Sequence, residues 1–465
     1  MTARAELPTW TLHAAVASLG LLLGVLAGYD PKLAVVATFA VAFVLITLAN
    51  LTVGLALFAT LSFVDTILPT GGIVSVPKLM GLLLLLSWFA LITAGDVERR
   101  QRIFSHQAFL LVLIAFVGWS AMSAVWAEIP AESLDKALRY LPNAFLFLIV
   151  FSAVRTRDQA LLIVGAFVAG ALVSATYGLI TPVDPSESDR LSGGAGNANE
   201  TAAALVCGAV MAASLAVAAR DNILVRTAAV AIAPLCVFGV FLTLSRGGLV
   251  ALAAAGVAMV AVGGRWRWAT IGLLVVAMAC TLVYFNAFVA PEARARVTTL
   301  EGGTGRTDVW TVGWRMVEAE PLRGIGNGNF PNTSVHYLLE PGALTRTDFI
   351  VDTPKVAHNM YLEVLAELGV IGMALFLGIL VFSLVCAVKA MRAFRESGDR
   401  QMEILSRGLF VALCALLASD FFGSRQYSKQ LWLLLSLGPA FLAIARAQIA
   451  AGGSPGLGEP EPSGP

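Results

Sequence analysis

Residues 358–388 read HNMYLEVLAELGVIGMALFLGILVFSLVCAV, and the fold turns on that stretch. After Glu367 it carries no charged side chain as far as Val388, and a helix crossing a bilayer needs roughly 20 mostly apolar residues. It therefore predicts a transmembrane helix over 360–388. Its first residues, His358-Asn359, mark where a long polar insertion, about Pro291 to Ala357, returns to the membrane.

The same length criterion, applied outward, marks candidate spans near 11–28, 33–48, 50–64, 76–94, 107–126, 137–154, 159–180, 200–219, 223–244, 248–263, 267–289, 405–421 and 429–447. Only Ala49-Asn50 separates the second from the third, so a tight hairpin, a re-entrant pair and one long tilted helix all fit. Composition agrees with many spans. The chain is 58% hydrophobic and 13% charged, with a mean hydropathy of +0.81, where soluble domains run near 25% charged.

The expected fold is all-α: a polytopic integral membrane protein of about 12–14 transmembrane helices, with one long loop, 290–358, containing short helices. We read residues 1–451 as one membrane domain and 452–465, rich in Gly, Pro and Ser, as a disordered tail. The first apolar run lacks a small-residue cleavage site and is read as a retained span rather than a signal peptide. A net charge of +1 without a basic run gives no sign of a nucleic-acid partner. All five cysteines, Cys207, Cys236, Cys280, Cys386 and Cys414, fall in apolar runs without CxxC spacing and read as small core residues.

Lysine and arginine set the orientation, because cytoplasmic loops carry them in excess. Arg99, Arg100 and Arg102, then Arg155 with Arg157, Arg220 with Arg226, Arg265 with Arg267, and finally Lys389, Arg392, Arg395, Arg400 and Arg407 mark alternate loops as cytoplasmic. The remaining connections face outward: 126–136, 181–199, 245–247, the insertion, and 422–429. Every unusual polar motif lies in that outward set. A transporter concentrates ionisable residues near the bilayer midplane, whereas the span centres here are almost free of charge.

Four motifs carry the outward chemistry. Gly193-Gly194-Ala195-Gly196-Asn197-Ala198-Asn199 opens a span, where Asn197 or Asn199 caps the helix; the alternative is a glycine-rich turn offering backbone N–H groups to an anion. Ser245-Arg246-Gly247 places a cation on the outward side against the orientation rule. Arg246 either snorkels to lipid headgroups or binds an outward-facing phosphate through its guanidinium fork. In the insertion, Gly305-Arg306 precedes an amphipathic helix with Val309, Trp310, Gly313, Met316 and Val317 at helical spacing, ended by Pro321. That helix is expected along the membrane interface with Trp310 and Trp314 as anchors. Last, His358-Asn359 precedes Glu363 and Glu367, which share a helix face with Asn359. An imidazole titrates near 6.5, so His358 can be neutral and accept a proton. His13 and His106 at span edges, and His336 in mid-insertion, sit in no motif.

Together the Gly196-Asn197-x-Asn199 turn, Ser245-Arg246-Gly247, Gly305-Arg306 with Trp310, the Pro-Leu-x-Gly-Ile-Gly run at 321–326, and His358-Asn359-x-Tyr361-Leu362 before Glu367 and Gly369 resemble the O-antigen ligase and polymerase family. The resemblance covers roughly 190–372. It implies a metal-independent, cofactor-free glycosyltransferase of the C type in the bacterial inner membrane. The implied donor is a glycan on undecaprenyl diphosphate, transferred at the periplasmic face, and the acceptor is lipid A-core oligosaccharide in ligases or another lipid-linked repeat in polymerases. By carry-over His358 is the catalytic base, with Arg246 and Arg306 clamping the diphosphate. Asn197, Asn199, Asn359, Arg190 and Glu363 are the expected substrate contacts; Arg323, Arg346 and Arg425 rank below them. Ligase is the leading reading, followed by polymerase, protein O-oligosaccharyltransferase and, from another class, solute transporter.

Overall fold

The structure, a computed structural model, describes residues 9–63, 76–93, 107–181, 190–193, 197–264, 305–338, 344, 348–351 and 355–452, with isolated positions at 267, 268, 271, 272, 283 and 287. Most of the expected span 267–289, Gly194 to Gly196, the loop arginines Arg99, Arg100, Arg102 and Arg265, the insertion before Gly305, Arg346 and the tail from Gly453 lie outside those residues.

Among the described residues the chain is all-helical, without a strand. Four helices come first: α1 (Thr9–Tyr29), α2 (Pro31–Ala49), α3 (Leu51–Leu61) and α4 (Val76–Thr93). Then follow α5 (Gln107–Met122), α6 (Pro130–Ala153), α7 (Arg157–Ile180), α8 (Ala198–Ala218), α9 (Ile223–Leu242) and α10 (Arg246–Val262). The insertion holds α11 (Arg306–Ala319) and one-turn helices at Phe330–Thr333 and Asp348–Val351. Three helices close the fold: α12 (Met360–Glu396), α13 (Arg400–Ser419) and α14 (Lys429–Gly452).

Among the described residues eight helical stretches are long and apolar enough to cross a membrane, five of them in α5–α9 and three in α12–α14. Shorter apolar helices occupy the other described candidate positions, among them Leu33–Ala49, Leu51–Leu61 and Arg246–Val262. The ambiguity at Ala49-Asn50 resolves as a break. Asn50 is extended (φ −149°) and its side chain accepts from the N–H groups of Thr52 and Val53, capping α3. Helix α3 is fixed to its neighbours by Thr52 Oγ1 donating to Ala153 O at 3.0 Å and Thr60 Oγ1 donating to Ala166 O at 3.0 Å.

Helix α8 is the hub, packed on α7, α9 and α13. Its Ala-rich surface lets those helices approach closely, the arrangement favoured where lipid removes any hydrophobic drive between helices. Helix α12 packs on α5, α13 and α14, and α10 on α13.

The insertion is tied into this bundle by its backbone. Helix α12 breaks at Gly369 (φ 65°, ψ −172°), which strands carbonyls and N–H groups of the helix ladder that must then find other partners. The segment Pro321 to Gly326 supplies the partners: Ile325 N donates to Ala366 O at 3.0 Å, Gly326 N to Glu367 O at 2.9 Å, and Val370 N to Pro321 O at 2.8 Å. Two indoles close the seam, Trp119 Nε1 donating to Leu368 O at 2.9 Å and Trp126 Nε1 to Gly324 O at 3.0 Å. Beyond it Asn327 Nδ2 donates to Ser120 Oγ at 2.6 Å and Asn329 Nδ2 to Ser133 Oγ at 2.9 Å.

Gly324 has φ +69°, and a Cβ there would overlap the Glu367 carbonyl. Gly324→Ala should therefore lower stability, with the left-handed backbone alone worth about 1–3 kcal/mol. Gly378→Ala is the matched control, since a Cβ at Gly378 would meet Val112 Cγ1 at an ordinary 3.5 Å. Thermal unfolding in detergent checks the pair; equal melting of the two variants would contradict the seam.

Candidate active site

Three loops and a helix start meet at one end of the bundle. Asn197 caps α8, accepting from Asn199 N at 2.9 Å and Glu200 N at 3.3 Å. That leaves the Asn199 side chain free to link two other segments: its Oδ1 accepts from Ser245 Oγ at 2.8 Å and from Arg190 Nη2 at 3.1 Å. Arg190 Nε also donates to Thr243 O at 2.9 Å. Ser245 in turn caps α10, accepting from Gly248 N at 3.2 Å, so Arg246 stands at the first position of that helix. Leu244, just before it, has a positive φ of 48°, a conformation that branched side chains adopt at a cost and that concentrates at functional sites.

Arg306 opens α11 and faces the same place. Its guanidinium sits below the ordinary arginine range because of burial first, then the charges of Arg190 and Arg246. Arginine stays protonated at any working pH, so three mutually repelling cations share one region. Such an arrangement is costly by itself and is relieved by a bound anion.

His358 completes the group. It is half-buried, with a positive φ of 49°, and its imidazole is pulled down to about 4 by burial, then by Arg306 and by Lys355. At neutral pH it is therefore uncharged and can accept a proton. The peptide preceding it is clamped: Trp310 Nε1 donates to Ala357 O at 2.9 Å, while Ala357 N donates to Glu363 Oε2 at 3.1 Å. Asn359 caps α12, its Oδ1 accepting from Tyr361 N and Leu362 N, each at 3.1 Å.

The structure thus brings Arg190, Arg246, Arg306 and His358 together, with Asn197, Asn199 and Asn359 forming the turns that carry them. Glu363 has another position: only 3% exposed, its carboxylate accepts from Ala357 N, from Ser424 Oγ and, at 2.6 Å, from Gln426 Nε2. It fastens the histidine loop to the segment between α13 and α14. Trp310 corrects the anchor expectation, since its indole N–H points at the Ala357 carbonyl; Trp314 is 54% exposed. Arg323 pairs with Glu320 at 3.0 Å on the surface, and His336 lies 3.4 Å from Glu128, both apart from the cluster. Arg425 is buried, bonded to Asp420 Oδ1 at 2.6 Å through Nε and to Asn199 O at 3.3 Å through Nη1, so it braces the Asn199 turn from below.

Sequence reasoning ranked Arg190 beneath the motif arginines, and it missed Lys355 and the bracing Arg425–Asp420 pair. The one available signal was that Arg190 and Arg425 also fell in outward loops. Among the described residues no group of three His, Cys, Asp or Glu side chains is placed to hold a metal ion.

The described helices thus carry a cluster of arginines beside an uncharged imidazole at one end of a membrane-type bundle. Residues 228–377 match the family model Wzy_C, described as O-antigen ligase. Over that stretch the chain is similar to the O-antigen ligase domain. The matched stretch takes in Arg246, Arg306 and His358 and begins after Arg190, Asn197 and Asn199. No curated protein matches the chain.

An anion at the arginines offsets the field that disfavours imidazolium, so it should raise the proton affinity of His358. In an NMR titration of the detergent-solubilised protein, His358 is expected to titrate near 4 alone and upward of that with saturating inorganic pyrophosphate. An unmoved titration would separate His358 from the arginine cluster.

Proposed function

We propose that this protein is an O-antigen ligase. It transfers a polysaccharide from undecaprenyl diphosphate to lipid A-core oligosaccharide, at the periplasmic face of the bacterial inner membrane. The observation that carries this reading is the convergence of Arg190, Arg246 and Arg306 beside His358, within and just before the matched O-antigen ligase stretch.

In the proposed reaction the arginines hold the diphosphate of the donor. An acceptor hydroxyl oxygen attacks the anomeric carbon as the bond from that carbon to the phosphate oxygen breaks. The bonding pair leaves with undecaprenyl diphosphate, and fixed guanidinium groups stabilise the charge that develops there. The hydroxyl proton passes to an imidazole nitrogen of His358. A single displacement inverts the anomeric centre. Donor binding itself makes the histidine a better base, because the diphosphate offsets the Arg306 charge that depresses it.

Location of charge supports an enzyme over a transporter. The six buried charged side chains among the described residues, Asp308, Arg315, Glu363, Glu367, Asp420 and Arg425, are all in the insertion or in helix ends and turns at this same face. Midplane ionisable groups of the kind that move ions or solutes do not occur among them.

His358→Ala, Arg246→Ala and Arg306→Ala should each lower transfer by roughly 10²–10⁴-fold in a purified assay, the range for losing a positioned base or a charge-stabilising group, with no loss of thermal stability. Full activity in His358→Ala would remove it from the reaction, and strict dependence on an added divalent cation would remove the arginines as the charge-stabilising groups. Deleting the gene should leave lipid A-core without any O-chain; core bearing a single repeat unit would mean polymerase instead.

A further inference from the structure

Helix α11 has two distinct faces. Val309, Val312, Met316 and Val317 turn inward to a small core with Ile325 and Phe330. The opposite face, Thr307, Thr311, Trp314 and Glu318 at helical spacing, is exposed and forms one wall of a cavity of about 790 Å³. The other wall is the start of α12, from Asn359 through Tyr361 and Leu362 to Met373. That volume lies within the range of ligand sites. Thr307 and Asn359 lie next in sequence to Arg306 and His358, so the cavity begins where the arginine–histidine cluster ends.

The lining shows which chemistry fits. A saccharide presents apolar C–H faces edged with hydroxyls, and this wall offers an aromatic platform, Trp314, 54% exposed, flanked by two threonine hydroxyls and the Glu318 carboxylate. A diphosphate does not fit. Among the described residues the one cation lining the cavity is Arg315, just 6% exposed, with its Nη1 donating to Tyr337 O at 2.6 Å, and Glu318 repels anions. Charge thus sorts the two reactants: the anionic leaving group to the arginines, a neutral sugar chain to α11.

Resting on the ligase reading above, we propose that the α11–α12 cavity is the acceptor subsite. In it Trp314 stacks on a sugar of the acceptor oligosaccharide and Glu318 accepts hydrogen bonds from its hydroxyls, which aims the nucleophilic hydroxyl at His358.

The test uses the full-length protein in detergent with undecaprenyl diphosphate-linked glycan as donor and lipid A-core as acceptor. Trp314→Ala should raise the acceptor KM about ten-fold, the weight of one well-placed aromatic contact, leaving the donor KM and the His358 titration as in the native protein. Trp314→Phe, which keeps a ring, should recover most of that loss, and Glu318→Gln should raise the acceptor KM less. An unchanged acceptor KM in Trp314→Ala, or a raised donor KM, would overturn the assignment. If the native protein transfers nothing to lipid A-core, the ligase reading fails and binding decides the subsite alone. Quenching of tryptophan fluorescence by deacylated core oligosaccharide or by the free donor oligosaccharide, lost in Trp314→Phe, sustains a saccharide site. Absence of quenching by both, or its persistence in that variant, rejects it.

Discussion

A helix inside a bilayer cannot leave backbone groups unpaired, because no water is there to take them. Helix α12 gives up its own ladder at Gly369, and the structure around the site is arranged to repair that break. The repair is made by the insertion: Ile325, Gly326 and the Pro321 carbonyl take the partners that α12 abandons. Once 321–326 is locked there, α11 must lie across the start of α12, and Arg306 at its first position is delivered to the mouth of the bundle. Glu367 reinforces the seam from the side, its Oε1 accepting from Phe330 N at 3.1 Å. A long polar loop that might have formed a separate domain is instead one wall of the site.

The second constraint is repulsion. Three guanidinium groups near one another repel, and Arg306 shows it in a lowered proton affinity. Arg190 is fixed by a carbonyl and by Asn199 Oδ1, both neutral acceptors. Two acids of this end of the bundle are held elsewhere: Asp420 with Arg425, Glu363 with Ala357, Ser424 and Gln426. In the proposed reaction an entering anion offsets the repulsion among these cations.

Much of this was legible in the sequence, for identifiable reasons. Spans follow from length and hydropathy alone, and loop arginines gave a shared face for Arg246, Arg306 and His358 although 112 residues of chain separate the first from the last. Side-chain roles that depend on tertiary hydrogen bonds were not legible. Glu363 shares a helix face with Asn359 and so read as a substrate contact; that it reaches back to Ala357 N requires the loop before α12 to fold over its own first turn. Trp310 read as an interfacial anchor because amphipathic periodicity cannot distinguish an indole facing lipid from one facing a carbonyl. The run 321–326 showed as a motif, yet its purpose, pairing with a broken helix, is visible only once Gly369 is seen to have left the helix.

These pieces explain why the site is composite. If His358 is the base, as proposed, it must be neutral beside a cationic cluster, and burial with Arg306 and Lys355 makes it so at the expense of its basicity. A strong base and an anion-hungry pocket cannot coexist in the empty site, because the same field that attracts the anion expels the proton. They coexist only when the anion is present. Spreading the cations over the segment before α8 and the first turns of α10 and α11, with the histidine on a fourth segment, lets the field at His358 change with occupancy while the backbone stays fixed by its caps. Bonds to both the N–H and the carbonyl of Ala357 hold the backbone just before His358, so that the proposed switch needs a change of proton affinity and not of fold.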